Sequence, residues 1–368
     1  MNTTHPAMTL YGLKVSYFTG KMENYLRYKE IPFSYQSMTA EHFERIIPEA
    51  TGARQMPAIQ LADGRWMTDS TPMIEWLETQ WPRHSIYPDD PLQDFVCRLI
   101  EDYADEWLWR PAMHYRWSFA AGRAMLGHLI VDEMAPTTPL PRVLIRWSVR
   151  RRQKKYFVDG DGVTRQTRAH VEQGYLRLLD ILERVFTQRP FVFGERPTLA
   201  DFGLSGPLFR HFANDPDPAM IMRERAPAVY AWTARLWRTR GSACGTGLVT
   251  GIPDDLLPLL AEIGATHLPN LVANAAAHAR QQREYSVALQ GTSYTRLPVS
   301  QYRVWCLERL QHRARALPEE VAALARPLLE AQQCWQPLWQ DAMVSSGYDP
   351  DQQVPFGRGL PVYHVPGP

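Results

Sequence analysis

In the N-terminal part of the chain the spacing of apolar positions alternates between strand-like and helix-like, and each change marks an element. Met8 to Val15 reads as a strand, and Gly20 to Lys29 carries Met22, Tyr25, Leu26 and Lys29 at helical spacing. Ile31 to Met38 reads as a second strand, and Glu41 to Ile47 as a short helix ended by Pro48. Met56 to Leu61 is short, apolar and bounded by turn signals, which predicts a buried strand. Asp63-Gly64 is a hairpin turn, and Arg65 to Thr68 returns as the partner strand. Asp69-Ser70-Thr71-Pro72 then offers two caps and a first-turn proline ahead of Met73, Ile74 and Leu77. The predicted order is βαβαββα over residues 1–82.

After a proline-marked linker the period becomes helical. Leu92, Phe95, Val96, Leu99, Ile100 and Tyr103 form a stripe reaching Leu108, with Pro111 beyond. Arg142 to Lys155 is a basic amphipathic run, best read as a solvated or salt-bridged helix face. Val171 to Phe186 presents Tyr175, Leu178, Leu179, Leu182 and Val185 on one face. Thr198-Leu199-Ala200-Asp201 has the form of a capping box, with Phe202, Leu204 and Leu208 following. These place an all-helical domain at 91–268. From 269 to 368 the chain reads as a mostly helical extension, with helices at Asn270–Ala288, near Tyr302–Leu317 and at Val321–Trp335, and an irregular stretch from Gly347 to Pro368.

Composition narrows the class. Forty Lys and Arg against 39 Asp and Glu leave a net charge of +1, so no strong field favours nucleic acid or a membrane surface. The four cysteines, Cys97, Cys244, Cys306 and Cys334, are far apart and without metal-ligand spacing, which points to a reducing compartment and to no metal. No apolar run has the length of a membrane span, and a cytoplasmic location is the expectation.

Two details of the hairpin unit suggest chemistry. Pro57 opens a strand that otherwise looks internal, where a missing N–H is normally excluded. A cis Met56–Pro57 bond would turn the Met56 backbone outward, where its N–H and C=O would pair with a peptide-like ligand. The helix beginning near Ser70 offers free N–H groups and the positive end of its dipole, which suits a carboxylate. A strand edge and a helix start facing one spot make a receptor for a small acidic peptide.

The stretch MPAIQLADGRWMTDSTPMIEWLE resembles the second half of the thioredoxin-like domain of soluble glutathione transferases, and YFTGKMENYLRYKEIPF resembles that domain's first helix and second strand. RPTLADF, about 140 residues beyond Pro57, matches the family's buried helix start in the second domain. The resemblance implies a two-domain protein: a thioredoxin-like domain, an all-α glutathione-transferase C-terminal domain, and here an added extension. It implies that glutathione is the co-substrate, with Asp69 and Ser70 holding its γ-glutamyl end, Met56 and Pro57 meeting the cysteinyl backbone, and Arg54 and Gln55 reaching the glycyl carboxylate. It further implies a catalytic hydroxyl between the first strand and first helix that stabilises the glutathione thiolate. Ser16, aligned on Lys21, or Tyr17, standing where many members have proline, fills that role, with Thr19 opening the helix. Tyr103, Trp107 and Tyr115 would line a pocket for an apolar electrophile, with core packing between helices the simpler reading for any one of them. A homodimer is implied as well. The rival is a non-catalytic binding or scaffold protein that keeps the fold without turnover. The extension has no counterpart in the resemblance.

Overall fold

The computed structural model describes residues 8–137, 139–340 and 343–361. Its N-terminal elements follow the predicted order: β1 Met8–Gly12, α1 Tyr17–Tyr28, β2 Ser34–Ser37, α2 Ile47–Thr51, β3 Ala58–Leu61, β4 Trp66–Thr68 and α3 Ser70–Gln80. The sheet order is β2-β1-β3-β4, with β1 parallel to β2 and antiparallel to β3, and β3 antiparallel to β4. Gly64, at φ 88°, makes the β3–β4 turn, a conformation glycine takes without steric cost. Several element ends shift by a few residues from expectation, and one difference has a clear physical reason. Pro48 does not end the short helix, because it sits at the start of α2 after a π-helical turn at His42–Ile46, where a missing N–H costs nothing.

The helical domain runs through α4 Pro91–Asp102, α5 Trp109–Ser118, α6 Ala120–Met134, α7 Arg142–Phe157, α8 Arg168–Gln188, α9 Leu199–Pro207, α10 Pro216–Arg225 and α11 Pro227–Arg238. A π-helical segment, Tyr103–Trp107, joins α4 to α5. Helix α9 is buried along its whole length and packs on both α1 and α4, so it links the two domains. Its start is the predicted capping box. Asp201 accepts from the Thr198 N–H at 2.9 Å, from Val192 N–H at 3.0 Å and from Trp232 Nε1 at 3.1 Å. On α7, Arg142 and Lys154 pair with Asp132 and Asp159, as expected of a salt-bridged face, while Val143, Leu144 and Trp147 stand exposed.

The extension corrects the sequence reading. The helical run from α12 (Leu257–Glu262) to α13 (Leu268–Ala279) continues through 268, so the expected boundary at 268/269 falls inside it. The 26-residue run Asp254–Ala279 has the length and apolar content of a membrane span, yet most of it is buried inside the protein, the mark of a core helix. The helix expected to reach Ala288 stops at Ala279. A hairpin follows, β5 Glu284–Leu289 and β6 Thr292–Pro298, turning at Gln290-Gly291. Arg280 to Arg283 is wholly polar and Gln281 adopts φ 57°, which breaks the helix, and EYSVAL alternates in burial with a period near two. Then come α14 Gln301–Arg315, α15 Glu319–Ala331 and α16 Trp335–Leu338. The irregular stretch expected from Gly347 is irregular to Pro361, and its remainder lies outside the described residues.

The extension is fused to the rest by buried charge. Arg303 on α14 bonds Glu106 at 3.1 Å and Asp161 at 3.2 Å, and Arg110 donates to the Asp161 carbonyl at 2.7 Å. All four side chains are buried, and removing one would strand another charge in the interior.

Candidate functional site

The β3–β4 pair builds the site. Ala58 lies opposite Thr68 at the end of the ladder, so Met56-Pro57 leads into it and Asp69-Ser70 leads out of it at the same end of the sheet. The Met56–Pro57 peptide is cis. Met56 is half-buried, and among the described residues no backbone hydrogen bond uses its N–H or C=O. Ser70 is the first residue of α3 and is 5% exposed, so the helix start with its free N–H groups sits next to an unused strand edge.

Asp69 precedes the helix at φ 72° and ψ 110°, a region that residues other than glycine seldom occupy and that concentrates at functional positions. Its carboxylate accepts a hydrogen bond from the Tyr302 hydroxyl at 2.8 Å. Burial raises the Asp69 carboxyl to about 6, against the opposing effects of that hydrogen bond, Arg309 and Lys21.

Ser16 and Tyr17, the two candidate hydroxyls, separate cleanly. Ser16 is the N-cap of α1, half-buried, and its Oγ accepts from the Thr19 N–H at 3.4 Å, so its own proton is not spent there. Tyr17 is buried, donates its proton to the Ala104 carbonyl of the helical domain, and packs its ring on Phe18, Trp109 and His211. That corrects the expectation for Tyr17. Ser16 caps α1 and Tyr17 is its first residue, so the two side chains leave the helix start in different directions, and the larger aromatic one is drawn into the core. Thr19 lies inside α1 and is buried, so it does not open the helix.

The remaining predicted residues are already engaged. Arg54 pairs with Glu44 at 2.9 Å. Gln55 donates from Nε2 to the Leu360 carbonyl at 2.7 Å and accepts from the Thr68 hydroxyl at 3.0 Å. The three aromatics of the expected electrophile pocket are packed into the core, the simpler of their two readings. Tyr103 faces His267, Trp107 faces Tyr294 of β6, and Tyr115 stacks on Phe119 and meets Tyr175. Tyr103 is covered by the turn before α13 and Trp107 by the β5–β6 hairpin, while Tyr115 is enclosed within the helical domain itself. His114 holds Glu172 at 2.9 Å, a structural bond. Cys306 is buried, and burial pushes its thiol well above the usual range.

Beneath the start of α3 lies a charged cluster that the sequence analysis missed. Lys21 Nζ meets Glu101 and Asp105, each at 2.5 Å, and the Thr71 hydroxyl at 3.2 Å, while Thr71 also donates to Glu101. Burial alone would lower the Lys21 pKa, but the attraction of Asp105 and Glu101 outweighs it and raises the pKa. Burial holds Asp105 well above the usual carboxylate range in spite of Lys21, and Glu101 adds to the effect. One buried ammonium therefore faces two carboxyl groups. A cavity of about 30 Å³, the size of a water, adjoins the cluster and is also lined by Tyr302, Cys306 and Arg309. The signal in the sequence was the acidic quartet Glu101, Asp102, Asp105 and Glu106, whose i, i+4 spacing repeats on one helical face. Among the described residues no group of His, Cys, Asp and Glu is arranged to hold a metal ion.

Comparison with known proteins agrees with this layout. Residues 10–85 match the family model of the glutathione S-transferase N-terminal domain, and residues 165–235 match that of the glutathione S-transferase C-terminal domain. A curated relative, glutathione S-transferase U6 of Arabidopsis thaliana, is 23% identical over 97 residues, which is 26% of this chain and 44% of the relative. The match thus spans less than half of that protein's length. Among solved structures, the β-etherase LigF from Sphingobium sp. strain SYK-6 is similar with a TM-score of 0.45 at 18% identity, covering 62% of this chain and 94% of its own. A glutathione S-transferase from Methylobacterium radiotolerans, in complex with glutathione sulfonate, has a TM-score of 0.41 at 18% identity, over 67% of this chain and 98% of its own. Both the N-terminal and the C-terminal domain of the glutathione S-transferase family are thus matched in this chain, in order and on either side of α4 to α7.

Proposed function

We propose that this chain binds glutathione across Met56, Asp69 and Ser70 and uses its thiolate to attack an electrophilic, apolar small molecule. One observation carries the reading: Met56, whose backbone makes no hydrogen bond among the described residues, and Ser70, the first residue of α3, each lie two residues beyond the same Ala58–Thr68 pair. Met56 would pair with the cysteinyl N–H and C=O, the α3 N–H groups and Ser70 would take the γ-glutamyl carboxylate, and Asp69 its ammonium. The half-buried Ser16 hydroxyl would donate to the sulfur and favour its thiolate, the thiol proton leaving to solvent. The sulfur then bonds to the electrophilic carbon while the leaving group departs with the electron pair.

A non-catalytic glutathione-binding protein is the second reading, favoured by the packing of Tyr103, Trp107 and Tyr115 into the core. A homodimer, the expected assembly, would have to form on a face the extension leaves open, since Arg309 and Arg313 of α14 already hold Glu75 on α3. Steady-state turnover of a generic electrophile with glutathione separates the readings. Measurable turnover that falls in Ser16→Ala supports the enzyme, and calorimetric binding of glutathione without turnover supports the second reading.

A further inference from the structure

The residues assigned to glutathione are contacted by the chain's own C-terminal segment. From Ser346 the chain leaves α14, where the Ser346 hydroxyl bonds Glu308 at 2.5 Å and its carbonyl accepts from Gln301 at 2.8 Å. Tyr348, Val354 and Leu360 pack on Tyr302, Trp305 and Cys306. Phe356 then lies between Trp76, at 5.2 Å, and the Arg65 guanidinium, at 4.5 Å, on the outer side of β4 and α3. Pro355 presents its carbonyl to the Thr68 N–H at 3.3 Å, one residue before Asp69. Gly359 donates its N–H to the Thr51 carbonyl at 2.7 Å, and Leu360 gives its carbonyl to the Gln55 amide. Residues 346–361 form a strap across the β3–β4 end where the site stands.

We propose that this strap is an internal ligand of the glutathione site, an extended peptide that competes with glutathione and must be displaced before it binds. The inference rests on reading Met56, Asp69 and Ser70 as that site. Two contacts make the occupants exclude each other. The Leu360 carbonyl holds the Gln55 amide at 2.7 Å, so a glycyl carboxylate reaching the same amide would be brought against that carbonyl, two acceptors that repel each other at one donor group. Gly359 fits because it has no side chain: a Cβ there would lie 2.9 Å from Ala53, 3.0 Å from Thr68 and 3.3 Å from Gln55. The strap therefore lies directly against Gln55, next to Met56, and against Thr68, next to Asp69. Tyr302, which carries the strap's apolar anchor, also binds Asp69, so anchor and site are linked. A chain-borne ligand has a high effective concentration and raises the apparent Kd of a free competitor without changing the site itself.

The test is calorimetric titration of the full-length chain with glutathione, comparing wild type with Gly359→Leu, Phe356→Ser and Ser70→Ala. Gly359→Leu has no room beside Gln55, and Phe356→Ser removes the ring from between Trp76 and Arg65. Both should tighten glutathione binding about tenfold, while Ser70→Ala weakens it. Hydrogen exchange gives a readout on the wild-type chain alone: saturating glutathione should raise exchange in residues 346–361. Strap variants with unchanged affinity, beside a weakened Ser70→Ala, would overturn the strap and leave the site standing. Weaker binding in both strap variants would make the segment a lid over the ligand, and the competition would be wrong. Affinity insensitive to Ser70→Ala would instead remove the site reading, and the strap inference with it.

Discussion

The Tyr302 hydroxyl donates to the Asp69 carboxylate at 2.8 Å across 233 residues of sequence, joining the extension to the start of α3. Through this bond the C-terminal hundred residues become part of the candidate site. Asp69 accordingly answers to two partners, the extension and a bound ligand's ammonium.

Asp69→Asn and Ser70→Ala should each weaken glutathione binding roughly tenfold or more, since a hydrogen bond to a charged group is worth about 1.5–3 kcal/mol. Thermal denaturation should change little for Asn, which keeps an acceptor for Tyr302. Calorimetry of both variants checks this, and unaltered affinity in both would move the ligand elsewhere.

Binding should also depend on pH. In the free protein the Asp69 carboxyl keeps its proton up to about pH 6, because burial disfavours the charge. An ammonium beside it favours the carboxylate, so ligand binding releases a proton. Affinity should rise as pH increases from 5 to 7 and level off above, and Asp69→Asn should flatten the profile. The charged neighbours Arg309, Lys21 and Glu101 remain in that variant, so a profile unchanged by Asp69→Asn would assign the titration to them.

The two hydroxyls at the start of α1 should respond oppositely. Ser16→Ala should slow thiolate attack about 10- to 100-fold and cost about 1 kcal/mol of stability as a lost N-cap. Tyr17→Phe leaves the buried Ala104 carbonyl without its donor, so it should cost about 1–3 kcal/mol in denaturant unfolding with kcat nearly unchanged. The reverse ranking would return the catalytic role to Tyr17.

Lys21→Met should be among the most damaging single changes outside the ligand contacts. It strands Glu101 and Asp105 in a buried site, a loss of about 3–5 kcal/mol when one partner of a buried pair is removed. Replacing Lys21 and Glu101 together by apolar residues should recover part of that loss, which chemical denaturation can measure.

What could be read from the sequence was what is encoded locally. The Met56–Leu61 strand, the Asp63-Gly64 turn and the Ser70 helix start are short-range patterns, and so is the Thr198–Asp201 box, whose carboxylate and N–H lie three residues apart. Contacts across long sequence separations were not readable. Nothing near Asp69 announces Tyr302, and nothing near Gln55 announces Leu360. Tyr103, Trp107 and Tyr115 have the composition of a pocket lining, but the fate of Trp107 depends on the β5–β6 hairpin, itself hidden in a stretch whose Ala and Val content fits a helix as well as a strand. Lys21 looked like an ordinary helix-surface lysine until α4 placed two carboxyls opposite it.

The most direct measurement is a crystal structure of the full-length chain with glutathione. The account predicts the γ-glutamyl carboxylate at the first turn of α3 beside Ser70, the cysteinyl backbone paired with Met56, the sulfur within hydrogen-bond reach of the Ser16 hydroxyl, and the Leu360 carbonyl withdrawn from Gln55. Glutathione bound away from Met56 and Ser70, or absent at saturating concentration with the site vacated by the strap, would contradict it.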